Sequence, residues 1–401
     1  MTDVTSSLLD RIERSLPRGI AARVALARRD AAMVLDGLAG RQPPPLVRRF
    51  AKPPQMSATA PHGARLVRVK EIVRETDAAT SIVFEDPTGR AFEYLPGQFF
   101  TVRAAVNGRA LRRAYSASGE RPGGPTLRIT VKRVEGGEMS TWLTTRASLG
   151  DTFELLGPAG SFTFTPSKDA RHLVLVGGGS GITPLYAIAC AALREEPSCR
   201  VTLLYGNRSL GDAIFADALA ALARQHPERF ELRHVVEVAH EGFDGLVGRL
   251  DEETAGRALD AMSIGPAAEF MLCGPAPMRA AVRRALDARG AAPSSVREEV
   301  YTSPHATVSD DGEHLVTLKL RGATREITVR GSETILEAAA RERVDLPSSC
   351  TVGGCGACTC KRLEGEVVME EPNCLTAAER AAGAVLTCVG RPRGPVVIEV
   401  P

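Results

Sequence analysis

Four cysteines near the C-terminal end constrain this chain more than any other feature. Cys350 is followed after four residues by Cys355, after two more by Cys358, and after a further twenty-nine by Cys388. Thiolates are the soft ligands that iron–sulfur clusters require, and four-then-two spacing with a distant fourth thiol is that of a [2Fe–2S] centre. Gly353, Gly354, Gly356 and Ala357 let the intervening backbone fold tightly and turn its N–H groups toward a bound group. The alternative is a zinc site with four cysteine ligands, but zinc commonly takes two closely spaced pairs and Cys388 stands alone. Cys360 and Cys374 fall outside the spacing and read as structural thiols. The total of nine cysteines is odd and no secretion signal is evident, which argues against a disulfide framework.

A chain of 401 residues can build two or three cores, because single cores stop growing near roughly 250–300 residues. A formal charge of +2 gives no global field for nucleic acid. No apolar run approaches the roughly 18–20 residues of a membrane span, and no apolar signal core opens the chain, so a cytoplasmic protein is expected. Residues 1–62 read as a basic helical extension followed by a Pro-rich linker; positions 1–52 hold ten Lys/Arg against five Asp/Glu. Residues 63–166 show short alternating runs such as LVRVKEIV, FFTVRAAV and LRITVKRV, the pattern of an antiparallel barrel. Residues 167–302 carry continuously apolar strands (HLVLV, VTLLY, FMLC) alternating with helical stretches at 184–194, 212–225 and 276–289, the pattern of a doubly wound α/β domain. A polar linker at 303–313 leads to 314–401, where a hairpin, a helix and a closing strand surround the cysteines.

Within the barrel lies Arg113-Ala114-Tyr115-Ser116, behind the run LPGQFFTV. An arginine can grip a pyrophosphate bidentately, a tyrosine can stack on an isoalloxazine ring, and a serine can hydrogen-bond its N5. Alone, four such residues would equally suit a strand surface. Gly136, Gly137, Glu138, Met139 and Ser140 then offer backbone amides and a hydroxyl for a phosphate at a helix start. In the α/β domain, Gly177-Gly178-Gly179-Ser180-Gly181-Ile182-Thr183-Pro184 follows the first strand. The glycines allow close approach of a dinucleotide, Thr183 is suited to cap the next helix, and Pro184 suits its first turn. Ile182 stands where the third glycine of the dehydrogenase fingerprint would fall. Arg208 and Ser209, after the second strand, favour the 2′-phosphate of NADPH, with NADH the alternative; the first acid nearby is Asp212.

These segments resemble two known families. Residues 314–401 resemble the plant-type ferredoxins, through SCTVGGCGACTC and LTCVGRP, which implies a β-grasp fold and a one-electron [2Fe–2S] carrier held by Cys350, Cys355, Cys358 and Cys388. Residues 65 onward resemble the ferredoxin–NADP reductase family, through the RAYS and GGEMS motifs and the glycine loop. That resemblance implies that Arg113, Gly137, Met139 and Ser140 hold the FAD diphosphate, Tyr115 stacks on the ring and Ser116 faces N5, with FMN in some relatives. It also implies that Gly177, Gly178, Gly179, Gly181, Thr183 and Pro184 cradle the nicotinamide dinucleotide, that Cys273, Gly274 and Pro275 lie beside its reactive carbon, and that Glu299 and Tyr301 flank the flavin.

The combination is similar to the fused reductases of oxygenase systems, such as those of phenylacetyl-CoA epoxidase and ketosteroid hydroxylase. It implies electron flow from NAD(P)H through FAD and the cluster to a partner oxygenase, hydroxylase or desaturase. A monomer is expected, without nucleic acid or a transmembrane segment, and with its arginine-rich extension free to touch an acidic partner or a membrane surface. A free-standing diaphorase and a non-catalytic redox sensor are the rival readings.

Overall fold

The computed structural model describes residues 64–401 except 107–108, 120, 263, 266–267, 300, 302–311, 332, 349, 371–372 and 376. The expected extension at 1–62 lies outside the described residues, as does most of the linker; Glu313, placed in that linker, already belongs to a strand.

Six antiparallel strands form the first domain: β1 (Arg65–Arg74), β2 (Ala79–Glu85), β3 (Phe99–Val106), β4 (Arg109–Ser116), β5 (Thr126–Lys132) and β6 (Thr152–Ala159), in the order β4-β3-β6-β1-β2-β5. A bridge between Ala117 and Ile129 brings the two edges together as a barrel. Alternation sends Val67 and Val69 of β1 inward, onto Ile82, Phe84, Leu127 and Ile129. Helix α1 (Glu138–Thr145) adds Met139 and Leu143, four residues apart and each 1% exposed. Fully burying a side chain of this size contributes roughly 1.5–3 kcal/mol.

The second domain is a wholly parallel sheet in the order β10-β9-β8-β7-β11-β12. Its strands are β7 (His172–Gly178), β8 (Arg200–Asn207), β9 (Phe230–Val236), β10 (Leu246–Val247), β11 (Ala268–Cys273) and β12 (Val296–Glu299). Every residue of β7 is buried, as a strand covered on both faces requires. Helices α2 (Ile182–Glu195) and α3 (Ala216–Gln225) pack on one face through Leu185 and Leu219. Helices α4 (Glu252–Asp260) and α5 (Ala276–Asp287) cover the other through Leu259 and Val282. The helix expected from 212 starts only at Ala216, because Leu210–Asp212 form a 3-10 turn and Phe215 takes a left-handed φ of 63°. The chain winds outward from β7 and returns beside it as β11, so the strand order reverses between them, where ligands of such sheets bind. Register sets Gly177, Cys273 and Glu299 side by side at that end.

The third domain is a five-stranded sheet, β14-β13-β19-β15-β17, with a two-stranded ribbon, β16-β18. It comprises β13 (Glu313–Leu320), β14 (Ala323–Arg330), β15 (Thr359–Glu364), β16 (Val367–Met369), β17 (Ala384–Leu386), β18 (Gly390–Pro392) and β19 (Val396–Glu399). The closing strand β19 runs parallel to β13. Helix α6 (Ile335–Arg341) starts at a capping box: Thr334 accepts from the Glu337 amide, and the Glu337 carboxylate accepts from the Thr334 amide. Its Ile335, Ala338 and Ala339 pack on Val316, Leu318 and Ile398, a β-grasp arrangement, and the cysteine loop runs from α6 to β15. The short helix α7 (Ala377–Ala381) precedes β17.

Candidate functional site

The loop after α6 doubles back on itself through left-handed backbone at Thr351, Gly353 and Gly356. At Gly353 a side chain is excluded twice, since its φ is +74° and a Cβ would lie 3.2 Å from Val389. The fold brings Cys350, Cys355, Cys358 and Cys388 together as two thiol pairs, Cys350 with Cys355 and Cys358 with Cys388. Cys358 is pushed below the ordinary thiol range by its bond to Cys388, while Cys350 and Cys388 are pushed up by their partner thiols and by burial. Backbone amides point at sulfur: Gly354 N lies 3.4 Å from Cys350 Sγ and Cys350 N lies 3.5 Å from Cys355 Sγ. Among the described residues, no three His, Cys, Asp or Glu side chains close into a cage for a single ion. Four thiols gathered as two pairs, with backbone amides at their sulfurs, are a donor set that fits a two-iron cluster. Cys360 instead joins the domain core, where burial raises its thiol to about 12. Cys374 is exposed and reaches a neighbouring cavity.

That cavity, of about 230 Å³, lies where the three domains meet. Ala114 and Ser116 of β4 and Phe99 of β3 form one wall, Glu299 and Tyr301 a second, and Gly354 of the cysteine loop a third. Glu299 is 8% exposed and its Oε2 has no hydrogen-bond partner, so burial pushes its carboxyl up to about 8. The Tyr301 hydroxyl sits 2.9 Å from Thr183 Oγ1 and 3.3 Å from Ser116 Oγ, and donates to Ser180 O at 3.2 Å. Burial of the hydroxyl, then the neighbouring Cys273 and Glu299, hold the phenol well above its ordinary range. Cys273 is fully buried beside them, its thiol raised by burial and then by Glu299. A carboxyl oxygen without a partner beside hydroxyls, in a cavity lined by polar and apolar groups alike, suits a planar ring with a hydrogen-bonding edge, so the residues fit a flavin.

Strand alternation divides the Arg113–Ser116 motif. Ala114 and Ser116 face the cavity, whereas Tyr115 packs toward the barrel core and burial raises its phenol. Arg113 donates to the Arg112 carbonyl at 2.8 Å. The Met139 side chain is buried in the barrel core, which leaves its backbone amide for a ligand. The Ser140 hydroxyl is likewise engaged, accepting from Val134 N at 3.1 Å and donating to Gly137 O at 3.2 Å. Gly137 caps α1 without a side chain, so the helix's leading amides are the part of this loop suited to a phosphate.

In the glycine loop, the expectation that Thr183 caps the next helix fails. A 3-10 turn over Gly179–Gly181 comes first, α2 begins at Ile182, and Thr183 is its second residue, donating to Ser180 O at 3.0 Å. Pro184 falls in the first turn. Gly178 and Gly181 serve packing: their Cβ atoms would lie 2.5 Å from Met278 Sδ and 2.0 Å from the Cys273 carbonyl oxygen. Gly274 presses back on Gly178, and Pro275 caps α5. Gly179, at φ +53°, faces Lys132 of the barrel, whose ammonium would be 3.1 Å from an added Cβ. Lys132 was not among the residues expected at the site, although a cation at a strand end just before a turn was there to be read. Arg208 and Ser209 both bond Asp212, at 3.2 and 2.7 Å. A 2′-phosphate would therefore meet a carboxylate beside its guanidinium.

Comparison with known proteins agrees with this architecture. Residues 64–164 match the family described as "Oxidoreductase FAD-binding domain", 175–284 "Oxidoreductase NAD-binding domain", and 318–393 "2Fe-2S iron-sulfur cluster binding domain". The chain is thus a flavin- and nicotinamide-dependent oxidoreductase with an iron–sulfur domain. It is 36% identical to one of the subunits of the 1,2-phenylacetyl-CoA epoxidase of Escherichia coli K12, over 81% of this chain and 94% of that one. It is 34% identical to the ferredoxin reductase component of 3-ketosteroid-9-alpha-monooxygenase of Rhodococcus rhodochrous, over 83% and 96%. The solved phthalate dioxygenase reductase shares the fold, with a TM-score of 0.61 at 23% identity over 84% of this chain and 98% of that one. The chain belongs to the family of FAD- and [2Fe–2S]-containing reductase components of oxygenase systems.

Proposed function

We propose that the cavity between the three domains is where reducing equivalents from NAD(P)H change hands on their way to an oxygenase. The observation that carries this is that one small space is walled by the flavin barrel, the switch-point end of the nicotinamide domain and the cysteine loop. In this reading FAD lies along the β3–β4 edge, its ring against Phe99 and Ser116 with Tyr115 behind that wall on the barrel side, and its diphosphate at Arg113 and the amides of Gly137, Met139 and Ser140. The nicotinamide reaches the ring past Tyr301, guided by Cys273, Thr183 and the Gly177–Pro184 loop, with Gly274 and Pro275 shaping the floor. Cys350, Cys355, Cys358 and Cys388 hold the cluster. Bound together, these groups supply the conversion of a two-electron hydride into single electrons; the protein supplies position and electrostatics.

Tyr301 fills the seat between Ser116 and Thr183, which keeps water out of it until a nicotinamide takes its place. Glu299 holds its proton near neutral pH and so adds no charge against an incoming dinucleotide. Arg208 and Ser209 support NADPH, but Asp212 holds both, so the preference over NADH is small. The relatives above are by name components of an epoxidase and a monooxygenase, which supports an oxygenase as the acceptor. Among the described residues no helix is long and apolar enough to cross a membrane.

The test is anaerobic reduction of the purified protein with each nicotinamide. About one FAD, two irons and two sulfides per chain are expected, with flavin and cluster both bleached by NADPH and NADH. Cys355→Ser should keep ferricyanide reduction while losing at least about a hundredfold of electron delivery to a one-electron acceptor protein. Equal delivery by the two proteins would overturn the route through the cluster.

A further inference from the structure

One face of the β3–β4 ribbon meets the cavity and both thiol pairs in succession. Register pairs Phe99 with Ser116, Thr101 with Ala114, and Arg103 with Arg112. On β4, Ser116, Ala114 and Arg112 therefore fall on a single face, spaced about 6.6 Å apart. Ser116 and Phe99 line the cavity. Phe99 and Ala114 pack, with Ala159, against Cys350, Val352 and Cys355, a small apolar core shared by the barrel and the cysteine loop. Two polar contacts flank it. The Thr101 hydroxyl, fully buried, donates to the Cys350 carbonyl at 2.6 Å. The Arg112 guanidinium donates to the Cys388 carbonyl at 3.2 Å and pairs with Glu337 Oε1 at 3.0 Å.

We propose that Thr101 and Arg112 form a two-point latch that seats the cysteine loop on the flavin barrel, one point on each thiol pair. They are positioning residues for electron passage from flavin to cluster. The contacts are specific to that task. Each ends on the backbone of a cysteine that the proposed function makes a cluster ligand, so each fixes a ligand directly. Arg112 also reads the orientation of the whole third domain, because its second anchor, Glu337, is the carboxylate that closes the α6 capping box. A guanidinium spanning a carbonyl and a carboxylate needs both in place at once, which an ammonium cannot reproduce. Removing the Thr101 hydroxyl leaves a buried carbonyl unpaired, which disfavours the seated arrangement specifically.

The inference rests on the proposed route, and its test separates the two. Holoenzymes of wild type, Thr101→Val/Arg112→Ala and Arg112→Lys are mixed with NADPH in a stopped-flow spectrometer, and flavin and cluster are followed at their own wavelengths. Amide exchange of the 350–358 and 384–390 segments is measured alongside. The double variant should reduce its flavin at the wild-type rate, pass electrons to the cluster at least about fivefold more slowly, and exchange faster in both segments. Arg112→Lys should fall between. Unchanged transfer in the double variant would overturn the latch, whether or not exchange rises, and slower transfer with wild-type exchange would overturn the seating argument. A wild-type cluster that NADPH never reduces would overturn the route itself, a result visible before any variant is compared.

Discussion

Glu299 offers the sharpest check at the level of single residues. Its carboxyl has an ordinary value of 4.5 and is raised to about 8 by burial alone. Between those values the folded chain holds a proton that the unfolded chain has released, so stability falls as pH rises through that window. A flavin seated in the cavity would bury the group further, in the same direction. Glu299→Gln should therefore flatten the decline, with urea midpoints diverging toward the alkaline end and converging near 4.5; parallel curves would show that the carboxyl is solvated. The resemblance to the reductase family pointed to Glu299, but its charge state depends on burial that no spacing reveals. Met139 and Ser140 show the reverse limit. Their motif reads correctly as a helix start, yet Met139 and Leu143 share one helical face, and that period belongs to the core. Thr101 and Arg112 were illegible for a plainer reason: their partners lie 249 and 276 positions away, and nothing local marks a strand residue that touches another domain.

Elements were more readable, because period and punctuation are local properties. Alternation in the barrel, continuous apolar runs in the parallel sheet and Gly-Pro breaks all translate directly into strands. What was missed had weaker signals: β9 is only partly buried along its middle, α4 is a short, largely polar helix, and β10 is two residues long. The turn between β7 and α2 shows how one motif serves two ends. Its glycines read as room for a ligand, but Gly181 is required by the Cys273 carbonyl, which would stand 2.0 Å from a Cβ. Backbone cannot yield as a flexible side chain does. Gly181→Ala should thus push β11 from the loop at a cost of about 1–3 kcal/mol, lowering Tm by several degrees. The KM for NADPH should rise several-fold because Gly177 and Cys273 lose their common level. The cluster spectrum should stay unchanged, since the third domain is untouched; a normal KM with a lowered Tm would make the contact purely structural.

At the level of the whole molecule, the barrel meets its two neighbours through junctions of different kinds. Phe162 and Phe164, which follow the barrel's last strand, are buried in the core of the α/β domain, and Cys350 and Cys355 share a core with Phe99 and Ala114. The first junction is apolar packing of ordinary kind. The second is built on a loop that contributes to a cluster of four thiols, whose mutual approach is unfavourable for thiolates without metal. Removing the iron should therefore act unevenly. The cysteine loop should lose order, its contact with Phe99 and Ala114 should weaken, and the third domain should unfold in a separate, earlier transition. Core strands of the α/β domain, such as β7, belong to other hydrophobic cores than that loop and should keep their protection. Chelation of iron followed by amide exchange reads this directly: faster exchange in 350–358 and along β3 and β4, with β7 and β8 unchanged. Reconstitution with iron and sulfide should restore the single transition. Uniform loosening of all three sheets would mean that the cluster stabilises the chain globally, and the seating of the loop on the barrel would then not be the junction that the metal controls.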